Sequence, residues 1–266
     1  MKLRDIGLWG FNLLFVAQVA AAERINDPCG GPSALLALVN RPSFADSACT
    51  VPFGNGIVET GYQYAWLQGG GVAQTFPIAQ IRIGLPANNE FAVLLPSYIH
   101  QNLSPRTGST ATTLSLKHEI GYNQDWLGAA EIVVNMPNGS SAFGSKNVGT
   151  TINGIVTYSM PHQLSLTGFF GANSYSDPAA IGGDRYSSLT MDAILSWLAN
   201  EKTSIYGEVF GQTHTAANEG AGYNFDMGVL YLIKRNISLD AEVGQRISGS
   251  LIGFNQYVGV GLSFEF

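Results

Sequence analysis

Residues 256–266 read Gln-Tyr-Val-Gly-Val-Gly-Leu-Ser-Phe-Glu-Phe, so that from Val258 onward every second residue is large and apolar. In an extended strand these side chains share one face, while Gly, Ser and Glu lie on the other. An alternation that ends on an aromatic residue is typical of the last strand of a bacterial outer-membrane β-barrel, which faces lipid on one side and a polar lumen on the other. We therefore predict such a strand, with Phe264 and Phe266 as the assembly signal for the barrel-assembly machinery.

The same alternation recurs upstream. From Ile57 onward the sequence divides into twelve segments of roughly ten residues, each bounded by turn residues. The predicted fold class is all-β: a transmembrane antiparallel up-and-down β-barrel of about 12 strands, preceded by a short N-terminal segment. The predicted strands are 57–68, 76–85, 91–100, 110–122, 126–136, 148–160, 164–173, 186–198, 204–212, 223–233, 237–246 and 257–266.

The connections between these segments alternate in length. Short ones (86–90, 123–125, 161–163, 199–203 and 234–236) alternate with longer ones (69–75, 101–109, 137–147, 174–185, 213–222 and 247–256). Barrels of this type have short periplasmic turns and longer external loops. The alternation therefore supports an even strand count with both termini on the periplasmic side.

Charged residues on the predicted strands fall mostly on the face opposite the large apolar side chains. A charge at the lipid midplane would cost ~2 to 4 kcal/mol for Arg or Lys, so these residues are expected in the lumen. Because acids outnumber bases there, we expect Arg82 and Arg246 to pair with neighbours such as Glu59 or Glu242, and an open pore to prefer cations. The predicted lumen charges are Glu59, Arg82, Lys117, Glu119, Glu131, Asp192, Glu208, Asp226, Asp240, Glu242 and Arg246.

Aromatic side chains with lumen parity are candidate solute contacts, and we assign Tyr98, Phe169, Tyr206 and Phe210 to this set. The chain has only 4 histidines, and none has a metal-type spacing with another His or Cys. No Ser-His or Asp-His arrangement stands out as a catalytic pair. We predict that the protein is not an enzyme, with no catalytic or metal-binding residue and no cofactor.

The N-terminus has the features of a secretory signal peptide over residues 1–22. Lys2 and Arg4 precede an apolar stretch over residues 6–16, and Ala20-Ala21-Ala22 offers a cleavage site. A membrane-spanning helix would need ~20 apolar residues, which disfavours an anchor. The net charge of −6 disfavours nucleic acid as a partner. A mean hydropathy of only +0.12 fits strands that are polar on one face.

Residues 23–56 precede the predicted barrel of residues 57–266. They contain Cys29 and Cys49, the only two cysteines. In a chain exported to an oxidising compartment, a disulfide between them is the natural interpretation, with free thiols or a metal pair as alternatives. The stretch from Pro32 to Val39 could form a short helix. This segment could plug the lumen or form a periplasmic tail, and the sequence leaves both open.

Several motifs carry a family resemblance. Residues 59–64 (Glu-Thr-Gly-Tyr-Gln-Tyr), Phe76-Pro77, residues 81–85 (Ile-Arg-Ile-Gly-Leu), residues 136–139 (Met-Pro-Asn-Gly) and residues 258–264 (Val-Gly-Val-Gly-Leu-Ser-Phe) occur in the order seen in outer-membrane transporters grouped under the meta-pathway of phenol degradation. The chain resembles this family over residues 57–266. The resemblance implies a barrel associated with uptake of aromatic or other hydrophobic small molecules.

Two functions remain open on this evidence. The first is a porin-like channel or transporter for small hydrophobic or aromatic compounds in the outer membrane of a Gram-negative bacterium, with outer-membrane lipid and the solute as partners. The alternative is a non-transporting surface barrel, such as an adhesin, with a filled lumen. The longest predicted loop, residues 174–185, is modest, which weakens the adhesin interpretation.

Overall fold

The computed structural model describes residues 27–266, and the signal peptide predicted for residues 1–22 lies outside the described residues. The described chain begins with a segment that holds one short helix, α1 (Ala34–Leu38), and continues as twelve barrel strands. The strands are β1 (Gly56–Leu67), β2 (Val72–Phe76 and Gln80–Leu85), β3 (Asn89–Leu94 and Tyr98–Gln101), β4 (Thr107–Ser109 and Thr113–Tyr122), β5 (Trp126–Asn135), β6 (Gly149–Met160), β7 (Leu164–Ser176), β8 (Arg185–Asn200), β9 (Thr203–Gln212), β10 (Gly222–Lys234), β11 (Ile237–Ser248) and β12 (Phe254–Glu265).

Each strand pairs antiparallel with the next, and β12 pairs with β1, so the sheet closes on itself. At the seam Ile57 lies opposite Glu265, and Gly61 lies opposite Gly261. Closure leaves no free sheet edge, which is what a β-structure in lipid requires because unpaired backbone groups cannot bond to water there. The predicted all-β barrel of twelve strands is confirmed.

The two faces of the wall differ as the alternation predicts. Apolar side chains on the outer face remain accessible, including Ile120, Ile152 and Phe170, which are 70%, 65% and 63% exposed. Charged side chains such as Glu59 and Arg82 point inward and are fully buried. Apolar exposure of this extent is unfavourable in water but suits a surface that meets hydrocarbon.

Three neighbouring strands are interrupted at one level of the wall. The gaps lie at residues 77–79 in β2, 95–97 in β3 and 110–112 in β4. Pro77 and Pro96 fall in two of these gaps, and proline has no N–H to donate to a strand neighbour. Isolated backbone hydrogen bonds still join the strands there. The N–H of Leu95 donates to the carbonyl of Ala79 at 2.8 Å, and the N–H of Thr110 donates to the carbonyl of Ser97 at 3.0 Å.

The ends of the barrel differ in their connections. The turns at one end are short, for example between β2 and β3, where Ala87 and Asn88 have φ of 60° and 56°. The connections at the other end are longer, the longest lying between β5 and β6. We call these the short-turn end and the long-loop end. Among residues 27–266, no helix is long and apolar enough to cross a membrane.

Candidate functional site in the barrel lumen

The segment before β1 lies inside the barrel. We call its described part, residues 27–55, the plug. Leu35 and Leu38 of α1 are buried against the inner wall, and Cys29 and Cys49 form a disulfide that closes a loop over a sequence separation of 20. Of the two arrangements left open by the sequence, the structure places this segment in the lumen, and the predicted disulfide is confirmed.

Three wall carboxylates bind backbone N–H groups of the plug. Glu59 accepts from Asn40 and Arg41 at 3.0 and 2.8 Å, and Glu208 accepts from the two residues 44 and 45 at 2.9 and 3.0 Å. Glu90 accepts from the N–H of Val51 at 2.8 Å. Hydrogen bonds to an ionised acceptor are about twice as strong as neutral ones. Part of the acidic excess in the lumen therefore serves to hold the plug, whose irregular backbone has few partners of its own.

The two basic residues on this side of the wall lie among the same acids. Arg82 contacts Glu59 at 2.8 Å and Glu90 at 2.8 Å, and it also donates to the carbonyl of Leu38 in the plug. Lys117 contacts Glu90 at 3.3 Å and donates to the Ser47 carbonyl at 2.9 Å. Both cations are fully buried, and each is matched by a carboxylate, as buried charges must be.

A second acidic group lies on β8 to β11, where the wall has no cation of its own at this level. Its members are Asp192, Glu208, Asp226, Asp240 and Glu242, all of them buried. The plug supplies the counter-charge, because the Arg41 guanidinium lies 3.1 Å from Asp240 and 3.6 Å from Glu242. The Tyr257 hydroxyl donates to Asp226 at 2.7 Å. Arg41 is thus the cation that joins the plug to this part of the wall.

Most of the residues predicted to face the lumen lie inside the barrel. Ten charged residues are buried on the inner face: Glu59, Arg82, Lys117, Glu119, Glu131, Asp192, Glu208, Asp226, Asp240 and Glu242. The aromatic residues Phe169, Tyr206 and Phe210 are buried there as well. Arg82 pairs with Glu59, as expected. It also has a two-point contact with Glu90, which the sequence predicts in the turn over residues 86–90.

Two predicted lumen residues lie elsewhere. Tyr98 is 51% exposed on the outer face, beside Phe76, because the interruption at residues 95–97 shifts the alternation of β3 by one residue. Arg246 lies at the long-loop end in contact with solvent. It donates to Asn255 at 3.1 Å and to the carbonyl of Gly249 at 3.4 Å, so its expected pairing with Glu59 or Glu242 is wrong.

Aromatic rings that the sequence analysis did not identify also line the lumen. Phe44 of the plug stacks on Phe210, with ring centroids 4.3 Å apart. Phe254 and Tyr257 on β12 meet edge to face at 4.7 Å. The burial of Tyr257 follows from the alternation, since it has the same parity as Gly259 and Gly261. The position of Phe44 depends on tertiary packing alone.

The plug divides the lumen into two cavities. The cavity toward the long-loop end has a volume of about 510 Å³, and we call it the outer cavity. Its lining includes Ile78, Ala92, Leu94, Val133, Phe44, Phe210, Phe254 and Tyr257. The cavity toward the short-turn end, the inner cavity, has a volume of about 280 Å³ and a wall rich in hydroxyl groups from Thr157, Ser159, Ser165, Thr167, Ser196 and Ser204.

The side chains that line the lumen indicate which ligands it could bind. Across residues 27–266, no group of three or more His, Cys, Asp or Glu side chains is arranged to hold a metal ion. The outer cavity combines aromatic and aliphatic side chains with polar and charged ones, among them Gln63, Gln80, Thr113, Ser115 and Glu242. Sites for small organic molecules likewise join apolar walls to polar groups that orient the ligand.

These features define a transmembrane β-barrel of twelve strands with a plugged lumen. A family model described as "Putative MetA-pathway of phenol degradation" matches residues 39–266, and the chain belongs to this family. The match begins inside the plug, earlier than the residues 57–266 over which the sequence resemblance was expected. The predicted family is confirmed.

Solved structures share the fold. An outer membrane channel from Pseudomonas putida F1 aligns over 84% of this chain and 100% of its own, with 10% identity and a TM-score of 0.66. The NanC porin aligns over 79% of this chain and 98% of its own, with 11% identity and a TM-score of 0.54. The KdgM porin aligns over 78% and 99%, with 12% identity and a TM-score of 0.53. No curated protein sequence matches this chain.

Proposed function

We propose that the protein is an outer-membrane channel of a Gram-negative bacterium that passes small hydrophobic or aromatic compounds through its lumen. The observation that carries the proposal is the outer cavity, a chamber of about 510 Å³ lined by aromatic, aliphatic and polar side chains, inside a barrel whose outer face suits lipid. The family description, which names phenol degradation, and the channel and porin folds of the neighbours point the same way. These neighbours are a channel and porins and not enzymes, which favours a channel for this chain.

The lining of the outer cavity favours a planar apolar ring. Two aromatic pairs flank it, Phe44 with Phe210 and Phe254 with Tyr257. Aromatic pairs favour stacked or edge-to-face contacts worth ~0.5 to 1.5 kcal/mol beyond burial, and a bound aromatic ring could make the same contacts. The volume is in the range of small-molecule sites, roughly 300 to 1,000 Å³.

Charge decides which of these compounds is favoured. The inner wall carries more carboxylates than cations, and the cations near the cavity already have carboxylate partners. An anionic solute would meet net negative charge in a confined site of low dielectric constant. The channel should therefore favour neutral or cationic aromatic compounds over aromatic carboxylates.

Uptake of N-phenyl-1-naphthylamine, a neutral fluorescent aromatic compound, tests the proposal. Gram-negative cells that produce the protein should take up the probe faster than cells that lack it. Val133→Trp should narrow the outer cavity and slow uptake, because Val133 lines that cavity. Val134→Trp is the matched control, because Val134 is the next residue along the strand and its side chain points to the outer face. Equal uptake by producing and non-producing cells would refute the proposal.

The plug supports a second candidate, a non-transporting barrel whose lumen is filled. Its backbone bonds to Glu59, Glu90 and Glu208 hold it inside the wall. If the plug were permanent, removing its attachments should destabilise the protein without giving solute flux. Uptake that stays at background in variants with a released plug would favour this candidate over the channel.

The proposed partners follow from the surface. Outer-membrane lipid would contact the apolar outer face, and a small-molecule solute would occupy the lumen. Phe264 and Phe266, which are 41% and 62% exposed, lie on or just after β12 and are available to the barrel-assembly machinery. Nucleic acid is not an expected partner.

A further inference from the structure

One short stretch of the plug separates the two cavities. Arg41, Pro42, Ser43 and Asp46 line both the outer and the inner cavity. Between them, Phe44 lines only the outer cavity and Ala45 only the inner one. We call residues 41–46 the partition. Displacement of this one stretch would join the two cavities.

The partition is attached to the wall near its beginning and near its end. At its beginning, the Arg41 N–H bonds to Glu59 at 2.8 Å and the side chain reaches Asp240 and Glu242. Toward its end, Phe44 bonds to Glu208 through its N–H and stacks on Phe210. The plug on either side is held separately, because Arg82 binds the Leu38 carbonyl and Glu90 binds the Val51 N–H. The partition can therefore move while the rest of the plug stays attached.

The wall has a seat for the Arg41 side chain. Gly61 on β1 and Gly261 on β12 face each other across the seam of the barrel. A Cβ added at Gly61 would overlap the guanidinium of Arg41, and one added at Gly261 would overlap its Nε and the carboxylate of Asp240. The guanidinium thus lies directly on backbone that only glycine leaves accessible.

We propose that the partition is the gate of the channel and that Arg41, held in the seat formed by Gly61, Gly261, Asp240 and Glu242, is its latch. In the closed state the guanidinium holds the partition against the seam. In the open state Arg41 leaves the seat, and the partition moves aside to join the two cavities. This proposal rests on the proposed channel function and assigns its regulation to particular residues.

Single-channel recordings of the full chain in planar bilayers test the latch. Gly61→Ala and Gly261→Ala should each raise the fraction of time in the open state roughly tenfold or more, because loss of a buried ion-pair partner is strongly destabilising. At Gly61 the new methyl group meets the far end of a flexible side chain, so the barrel itself should fold normally. Gly154→Ala, where a Cβ would meet nothing within 4 Å, is the matched control and should behave as the unaltered chain.

Arg41→Ala provides a second variant outside the barrel wall, and it should open the channel to the same degree as Gly61→Ala. A heat-dependent gel shift shows for each variant whether the barrel has formed. If folded Arg41→Ala and Gly61→Ala variants conduct no more than the Gly154→Ala control, the latch is refuted.

The gate and the proposed substrate class are tested by separate measurements, ion conductance for the gate and aromatic uptake for the substrate class. An increase in conductance without uptake of N-phenyl-1-naphthylamine by any variant would keep the gate and refute the proposed substrate class. If the unaltered chain takes up the probe but substitutions at Arg41, Gly61 and Gly261 do not change the conductance, the channel function is supported and the latch is refuted.

Discussion

Arg82 and Glu90 form a two-point ion pair inside the barrel, with Nε 2.9 Å from Oε1 and Nη2 2.8 Å from Oε2. Both side chains are completely removed from solvent, at 0% and 1% exposure. Glu90 also binds Lys117 at 3.3 Å and the N–H of Val51 in the plug. One carboxylate therefore links two neighbouring cations of the wall to the segment that fills the lumen.

Neutralisation of this carboxylate should be strongly destabilising. Glu90→Gln would leave Arg82 and Lys117 short of negative charge in a buried site, and we expect a loss of ~3 to 5 kcal/mol in the free energy of unfolding. Urea unfolding in lipid vesicles, followed by tryptophan fluorescence, measures the change. Asp125→Asn, at an exposed turn, is the control and should change the free energy by less than about 0.5 kcal/mol. A loss in Glu90→Gln no larger than in the control would show that the ion pair does not contribute to stability.

The acidic lumen should make an open pore selective for cations. Asp192, Asp226 and Glu242 are among the buried carboxylates of the inner wall, and acidic side chains that line a pore attract cations and repel anions. Reversal potentials in a KCl gradient across a planar bilayer should therefore show K⁺ preferred over Cl⁻. Glu242→Gln should reduce this preference, whereas Asp125→Asn at the turn should leave it unchanged. Anion preference in the unaltered chain would contradict the charge assignment.

Attachment of the plug should depend on pH through Asp46. Burial, with Glu131 nearby, raises the pKa of Asp46 from 3.8 to about 8, against the opposing effect of Lys117 and Arg82. The attached state of the plug binds the Asp46 proton more tightly than the released state does. The contribution of Asp46 to the free energy of attachment is therefore complete below pH 3.8 and is lost as the pH rises through about 8. Channel opening should be more frequent at pH 9 than at pH 6, and Asp46→Asn should remove most of that difference. An open fraction that is greater at pH 6 than at pH 9 would contradict this role of Asp46.

The disulfide should hold the plug in place. Cys29 and Cys49 close a loop over a sequence separation of 20. In the chain-entropy model a cross-link of this span lowers the entropy of the released plug and so raises its free energy by ~3 kcal/mol. In the double variant Cys29→Ser/Cys49→Ser, chymotrypsin should cleave next to Phe44 roughly a hundredfold faster, because cleavage requires the plug to be released. The heat-dependent gel shift of the barrel should be unchanged. Identical cleavage rates with and without the disulfide would refute this role.

The barrel could be predicted from the sequence because its physical rule is local. Each strand must alternate between a lipid face and a lumen face, so Glu59, Asp192 and Glu242 are placed by their own neighbours in the chain. Where the strand is irregular, this rule fails. The interruption around Pro96 moved Tyr98 to the outer face, although the proline was a visible signal for it.

The plug and its contacts could be anticipated only in part. A cysteine pair and a short helix were evident before the barrel, but the position of the segment depends on bonds to residues far along the chain. Arg41 reaches Asp240, and Phe44 reaches Glu208 and Phe210. No local pattern encodes such pairs. The gate and the outer cavity could therefore be identified only once the chain was folded.

The position of a bound aromatic solute in the barrel would show directly whether the outer cavity is the binding site of the channel. Crystals of the full chain grown with 4-bromophenol would show the bromine by anomalous diffraction. We expect a bromine peak in the outer cavity, among Phe44, Phe210 and Phe254. Bromine found only on the outer face of the barrel, with the outer cavity empty at saturating 4-bromophenol, would contradict it.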